Sequence, residues 1–401
     1  MKTTKLLLSL ALACLCQMSY AVDRIVQENG PSGTFSTISA AITASVNGDR
    51  IIVHPKIGDS PYIENITIDK SLELVSATDG IRYRIQGNIV ITALNNRTVT
   101  IIGAQLVSGS ISGSSAGWRT NVNILGCRLD GGNIDFNNQY YVSVVSNVLD
   151  SGSISISHGR IIGNQLNNES SLITISNSTS ITNDVMNIIG NIFPRLWSTN
   201  TSDIFLNIHN NFIRRLSVNT NADTHSIRYS FSSTSTKLSI INNTVITPFS
   251  SFSVGRARYL SLSSPAIIKN NIFEGSSTTG SWGPDVLLVS VGNSSSYNYI
   301  RNNQASYPAL SSTDTVIMSS NVNQNTGQLI LPTPALNGAD PSFEFYDLDL
   351  SPGDAGCFGG SYSLDNFFPI TGSSRVFWLD VPFGITTTGA PLQIRAEGFD
   401  R

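Results

Sequence analysis

Lys269 and Arg301 are the side chains whose type and spacing come nearest to a chemical device. The 401-residue chain is only 13% charged, yet each of these bases stands two positions before an Asn in a recurring pattern, apolar-x-aliphatic-x-turn-Asn-x-apolar. If the copies stack, the two bases face outward on adjacent layers. One could take a proton beside a sugar carboxylate while the other neutralises that carboxylate, which is the minimum set for a β-elimination. Calcium held by acidic side chains would be the accompanying cofactor; Asp203, Asp223 and Asp285 are available, but without metal-binding spacing. Arg214, Arg228, Arg256 and Arg258 are candidate substrate-binding cations. Tyr259 and Trp282, with Tyr229, Tyr297 and Tyr299, are candidate surfaces for sugar stacking. The competing reading makes Lys269 and Arg301 ordinary solubilising charges.

The elements that would position these residues are legible in the repeat itself. Nine copies place Ala104, Cys127, Asn147, Asn164, Asn191, Asn211, Asn243, Asn271 and Asn303 in one column, at intervals of 17 to 32 residues. Three positions earlier every copy is aliphatic, from Ile101 to Ile300. Alternation of this kind points side chains to one face of a strand, and stacking turns the faces into interior ladders. The residue before the column is Gly103, Gly126, Ser146, Gly163, Gly190, Asn210, Asn242, Asn270 or Asn302. Gly and Asn tolerate positive φ, so the column marks a turn in every layer. Stacked Asn side chains beside it are expected to bond from layer to layer. The fold expected is all-β: a single-stranded right-handed parallel β-helix, a solenoid whose variable intervals are turn insertions. Long loops are expected around residues 219–236, 249–264 and 276–285.

Two positions before the Asn column, Ile102, Leu125, Val145, Ile162 and Ile189 form an outward aliphatic stripe. Such a stripe requires a cover, either the segment from Ser361 to Arg401 or a second subunit.

Composition bounds the setting. Lys2 and Lys5 precede an apolar run from Leu6 to Leu15, and Ser19-Tyr20-Ala21 places small residues where a leader is cut. Residues 1–21 are therefore read as a signal peptide, with cleavage near Ala21. A lipidated Cys14 or Cys16 is the weaker alternative. The formal charge is −3, and loss of the two leader lysines makes it more negative, so nucleic acid is not an expected partner. No later run is long and apolar enough to span a membrane. Cys127 and Cys357 remain in the mature chain; a bridge between them and two separate thiols are both open.

The segment Gly33-Thr34-Phe35-Ser36-Thr37-Ile38, Asn47-Gly48-Asp49-Arg50-Ile51-Ile52-Val53, Tyr62-Ile63-Glu64-Asn65-Ile66-Thr67-Ile68 and Leu72-Glu73-Leu74 resembles the opening of pectin-lyase-like β-helix proteins. That resemblance implies a short capping helix, here about Ser36 to Ser45 within a cap of about 33–48. Asp340-Pro341-Ser342-Phe343 and Leu350-Ser351-Pro352-Gly353-Asp354-Ala355-Gly356-Cys357-Phe358-Gly359-Gly360 resemble the terminal segment of secreted bacterial β-helix repeat proteins. The expected organisation is a β-helix over 22–350 and a small C-terminal β appendage over 351–401, with Arg375–Leu379 and Leu392–Ala396 as a strand pair. The superfamily hosts lyases, hydrolases, esterases and binding proteins. The carboxylate pairs and motifs of its hydrolases and esterases are absent here, and Ser157-His158-Gly159 is read as coincidence. The function expected is a secreted or cell-surface protein that binds extracellular polysaccharide or a surface protein without catalysis. A lyase acting on an acidic glycan and a purely structural spacer are the alternatives; no cofactor or metal is assigned, and oligomeric state is left open.

Overall fold

Each turn of the chain lays down three short strands, one on each of three walls, before returning to the first. In the computed structural model, the residues described are 21–114, 119–137, 140–176, 184–199, 204–215, 224–230, 237–247, 257–275, 285–289, 293–301, 311–317, 319–370, 375–380 and 395–399. Among them, sheet 1 stacks twelve strands from Asp23–Val26 to Ser294–Ser296, sheet 2 stacks twelve from Tyr62–Ile63 to Thr315–Ile317, and sheet 3 stacks ten from Ile66–Ile68 to Asp285–Val289. All pairings in these sheets are parallel and, apart from a shift between Ile85 and Gln86, in register, as in Ile101 beside Ile124 beside Val144. The fold is a parallel β-helix, and the right hand is the one that parallel crossovers between L-residue strands adopt.

Inward columns fill the cylinder. Ile124, Val144, Ile161 and Ile188 project from sheet 1, Leu106, Leu129, Leu149 and Phe193 from sheet 2, and Ile89, Ile111, Ile134 and Ile154 from sheet 3, all buried in one cluster. Burial of such columns at about 25 cal/mol per Å² is the main driving force. At the N-terminal end lies helix α1 (Ile38–Ala44), with Ile38, Ala41 and Ile42 buried against the first coil. The Glu64 carboxylate accepts from the Ile38 and Ser39 amides at 2.9 Å, satisfying donors that a helix start leaves open.

The Asn column forms a continuous buried ladder. Asn147, Asn164, Asn191, Asn211, Asn243, Asn271 and Asn298 are at most 1% exposed. Each Oδ1 accepts the backbone amide of the residue one coil earlier, as in Asn164 N to Asn191 Oδ1 at 2.8 Å. Each Nδ2 from Asn147 to Asn271 donates onward to the next Oδ1 and back to the carbonyl of the aliphatic column; Asn191 reaches Asn211 and Ile161, both at 2.9 Å. Cys127 stands in for Asn at the N-terminal end, its Sγ lying 3.6 Å from the Ile101 carbonyl oxygen. Asp314 closes the other end, with Oδ1 accepting from Asn298 N and Nδ2 at 2.8 and 2.9 Å.

The last copy of the repeat is displaced from its expected place. The ladder continues to Asn298, not Asn303, and the positive-φ turn residue is Tyr297 (φ 56°). The Asn302-Asn303 doublet, which resembles the motif, lies outside the described residues. Ile300 and Arg301 therefore lie on sheet 2, with Ile300 beside Phe273, and the sheet 1 partner of Ile268 is Ser295. Two of the expected long loops contain sheet 3 strands, Thr224–Tyr229 and Ala257–Leu262, and a third such strand, Asp285–Val289, begins where the last expected loop ends. Cys127 and Cys357 are both buried and are not bridged to each other.

Removing one rung leaves donors without acceptors in a dry interior. Asn191→Ala is expected to cost about 2–4 kcal/mol, as several buried hydrogen bonds go unmade, measured as a lowered midpoint in urea unfolding.

Candidate functional site

After the last coil, residues 319–370 run back as a strap over the outside of sheet 2. Val322, Ala335, Ala355, Cys357 and Leu364 bury the outward residues Phe212, Ile246, Ile272, Tyr299 and Ile317. Burial pushes the Cys357 thiol up to about 12, which keeps it a neutral packing group. The strap then crosses the turn between sheets 2 and 1. There Asn210 Nδ2 donates to Gly359 O at 2.6 Å, Asn270 Oδ1 accepts Asp340 N at 2.9 Å, and Cys357 N donates to Thr244 Oγ1 at 3.0 Å. Phe367 ends on the aliphatic stripe, buried with Ile102, Leu125, Val145, Ile162 and Ile189. Its ring sits over the turn at Gly163 and Gly190, where a Cβ would come within 3.0 and 2.1 Å of it. The cover sought for the stripe is thus supplied by the chain itself. Beyond it, Arg375–Asp380 and Arg395–Phe399 pair antiparallel, and Glu397 bonds Arg160 on the outer face of sheet 1.

Where the strap begins to cover sheet 2, a cleft of about 350 Å³ opens. One wall is the coil corner with Gln165, Asn167, Asn168 and Glu169; the opposite wall is the strap with Asn325, Gln328 and Asp365. Ile192, Phe358 and Phe368 supply its apolar lining, and Arg214 lies in it with Nη2 donating to Asn325 Oδ1 at 2.9 Å. Behind this corner Arg215 is buried, and burial together with the Arg195 guanidinium holds it below the usual arginine range, against the pull of Glu169. Such a volume and mixed lining suit a small polar ligand unit.

The cleft is continuous with a polar plane. Toward the N-terminus, successive coils of sheet 2 present Gln105, Arg128, Val148 and Gln165 in register. Arg128 bonds Asp130 at 3.1 Å and Asp150 at 2.6 Å. Gln105 donates to Asp130 at 2.9 Å, Asn167 to Asp150 at 2.8 Å, and Gln165 to Asn167 at 2.8 Å. These side chains are held by one another on a rigid sheet, with lone pairs and protons still facing out.

The expected site residues scatter. Lys269 and Arg301 do not share a column: Lys269 is on sheet 1, paired with Asp340 at 2.8 Å and lying 4.9 Å from the Phe345 ring centre, whereas Arg301 is buried on sheet 2 against Glu274. Both hold structure. Tyr259 points inward, fully buried, its ring 5.3 Å from that of Phe273; Tyr229 and Tyr299 are buried too, so none of the three offers a stacking face. Arg228 is exposed on sheet 3 with its guanidinium 4.9 Å from the Trp197 ring centre. Arg258 lies on the strand Ala257–Leu262, its side chain outside the described residues, as are Arg256 and Trp282 altogether. Among the described residues of the expected set, Arg214 alone lines the cleft. Of the residues missed, Gln165, Asn167, Glu169 and Asp365, the first carried a signal. The position after the Asn column is polar at Gln105, Arg128 and Gln165, with Val148 between them, and mostly apolar at Ile192, Phe212 and Ile272, with Thr244 between them, a shift that falls where the strap covers the outer face.

Among the described residues no three His, Cys, Asp or Glu side chains converge as metal ligands, so no calcium site is assigned to them. No described helix is long and apolar enough to cross a membrane.

No family model matches the chain, and no curated protein matches it. Among solved structures it is similar to a crystal structure of pectate lyase Pel9A, at 14% identity and a TM-score of 0.39, covering 85% of this chain and 97% of that one. The architecture is that of a parallel β-helix with three stacked sheets. That statement rests on the strand order and register of the three sheets; no chemistry follows from the likeness.

His209 gives the covered side of the molecule a pH dependence. Burial pushes its imidazole down to about 4, with Nε2 at 2.7 Å from Ser239 Oγ. Since the folded value lies below the ordinary 6.5, the unfolded chain binds the proton first as pH falls. Stability conferred by neutral His209 is full above pH 6.5 and falls toward pH 4 by up to about 1.4 kcal/mol per unit. His158 is lowered by burial as well, with Asp184 opposing, so the test is a difference: urea unfolding between pH 7 and 4.5 should fall less steeply in His209→Gln than in the parent.

Proposed function

We propose that this protein is exported and binds an extracellular polysaccharide, without cleaving it, along the outer face of sheet 2, with the cleft beside Asn167 holding one or two sugar units. The observation that carries this reading is the cleft's lining: side-chain amides and carboxylates for hydroxyl groups, flanked by Phe358 and Phe368. Sugars expose alternating hydroxyls and C–H faces, and a preorganised array of planar acceptors and donors binds them at low entropic cost. The polar plane from Gln105 to Asn167 extends the same chemistry along the coil axis, as a chain-like ligand requires.

Absence of cleavage is supported by the state of the two bases. Lys269 and Arg301 are engaged by Asp340 and Glu274, and a base committed to an ion pair on one sheet cannot assist a cation committed on another.

Binding is measured by calorimetry or a glycan array with the protein beginning at Val22. Paired Asn167→Ala and Glu169→Ala substitutions at the exposed corner are expected to weaken the best ligand at least tenfold, about 1.4 kcal/mol, while leaving the unfolding midpoint within a degree or two. In parallel, absorbance of unsaturated uronates over pectic, alginate and glycosaminoglycan substrates with calcium is expected to stay flat. A rising trace abolished by Lys269→Ala or Arg301→Ala would make the protein a lyase, and ligand affinity indifferent to the corner substitutions would remove the cleft from consideration.

A further inference from the structure

Asp49 is a fully buried carboxylate in the turn between α1 and the strand Arg50–Val53. Its Oδ2 accepts from Val46 N and Arg24 Nε, each at 3.0 Å, and its Oδ1 accepts from the backbone nitrogen of Val22 at 2.9 Å. Val22 immediately precedes the first strand, with its carbonyl accepting from Arg50 N at 3.1 Å, and residues 21–23 are exposed at this edge. The same nitrogen is the one singled out by the sequence, since Ser19 and Ala21 put small side chains three and one positions before it. A cleavage signature and a buried acid therefore converge on one atom.

We propose that the Ala21–Val22 peptide bond is the maturation site and that Asp49 is the receptor for the α-ammonium that its hydrolysis creates. Water supplies the oxygen: the C–N bond breaks, Ala21 leaves as a carboxylate, and the Val22 nitrogen becomes an ammonium. An amide offers Asp49 one proton and no charge, whereas an ammonium offers three protons and a full positive charge. A buried carboxylate gains most from a partner that is both close and charged. The inference rests on the protein being exported but not on what it binds.

The surroundings allow the pairing. Arg24 shares Asp49 from the same strand, and Asp23 and Arg50 neutralise each other at 3.0 Å across the first two strands. Glu73 faces Arg50 from the next strand, and α1, Ile-Ser-Ala-Ala-Ile-Thr-Ala, brings no charge. Burial works to raise the Asp49 carboxyl, but the Val22 and Val46 amides and Arg24 outweigh it and hold the group below its ordinary value. It is therefore ionised wherever an ammonium exists. Removal of the leader then locks the first coil, with the charge at the new terminus fixing the edge strand of sheet 1.

Two measurements decide the matter. N-terminal sequencing of the exported protein is expected to begin Val-Asp-Arg-Ile-Val, and a start at any other residue overturns the proposal. Next, chains beginning at Val22 and at Ala21 are compared for N-terminal acylation at pH 7, read by mass spectrometry. The Val22 amine is expected to react at least fivefold more slowly in the folded protein than in urea, and the Ala21 amine at similar rates in both. The Val22 chain should also melt higher below about pH 8, the ordinary α-amino range. Because its ammonium is stabilised in the fold, that advantage is lost as pH rises through the raised folded value. Equal acylation and equal midpoints for the two chains would refute the pairing even if Asp49→Asn failed to fold, and a defect in glycan binding would leave both readouts unchanged.

Discussion

The hydrogen bond from each coil's Asn amide to the Asn oxygen of the next is the interaction on which the molecule's geometry depends. At the corner between sheets 1 and 2 the backbone leaves one ladder for another, and its polar groups would be orphaned in a dry interior. A side-chain amide at that corner can accept from one neighbour while donating to another. One such residue per coil satisfies the corner indefinitely, as from Asn147 to Asn298. The ends show what the interaction requires. At Cys127 a thiol suffices, because little of the ladder lies upstream; at Asp314 the series closes on a carboxylate that accepts from Asn298 without needing a further oxygen to donate to.

That corner also dictates the strap. The residue before each ladder Asn must adopt positive φ, and the early coils meet this mostly with Gly, the later ones with Asn. Both satisfy the turn, but they differ in what they leave outside. Gly163 and Gly190 leave a flat surface that the Phe367 ring fills, whereas Asn210, Asn242 and Asn270 project amides that hold the backbone at Gly359, Asp354 and Asp340. A change of residue type that a turn alone does not explain is accounted for by the segment lying across it.

Most of the scaffold was legible because its causes are local and repeated. The aliphatic columns, the positive-φ turn, the Asn ladder and the need to cover Ile102 to Ile189 all follow from short-range pattern. The exceptions have physical sources. Asn302-Asn303 imitates the motif, and only the register of Tyr297 and Asn298 against the preceding coil reveals which pair makes the turn. Sheet 3 strands such as Thr224–Tyr229 carry weaker alternation and are separated from their corner by long insertions, so they passed for loops. The cleft was out of reach as an object, since Asp365 and Gln328 come to Asn167 only by way of a strap whose path depends on tertiary contacts. Tyr259 shows the opposite failure: an aromatic residue in the later coils suggested a sugar-stacking face, yet strand alternation puts it inside.

The scarcity of charge gives the remaining clue to function. In a chain with so few ionisable groups, the pairs made by the C-terminal segment or beside it are Lys269 with Asp340, Arg301 with Glu274, and Arg160 with Glu397. Glu274 also accepts from Asn321 N at 3.3 Å, at the start of the strap. Burial raises its carboxyl even with Arg301 alongside, so this pair costs desolvation that only a structural gain offsets. Three of the ion pairs among the described residues thus lie where the covering segment must be held in one register. The open part of sheet 2 is left mainly to Gln, Asn and Asp around Arg128, itself paired with Asp130 and Asp150. Groups of that kind recognise hydroxyls through many modest bonds whose sum depends on rigidity, and rigidity is what a stack of in-register coils provides.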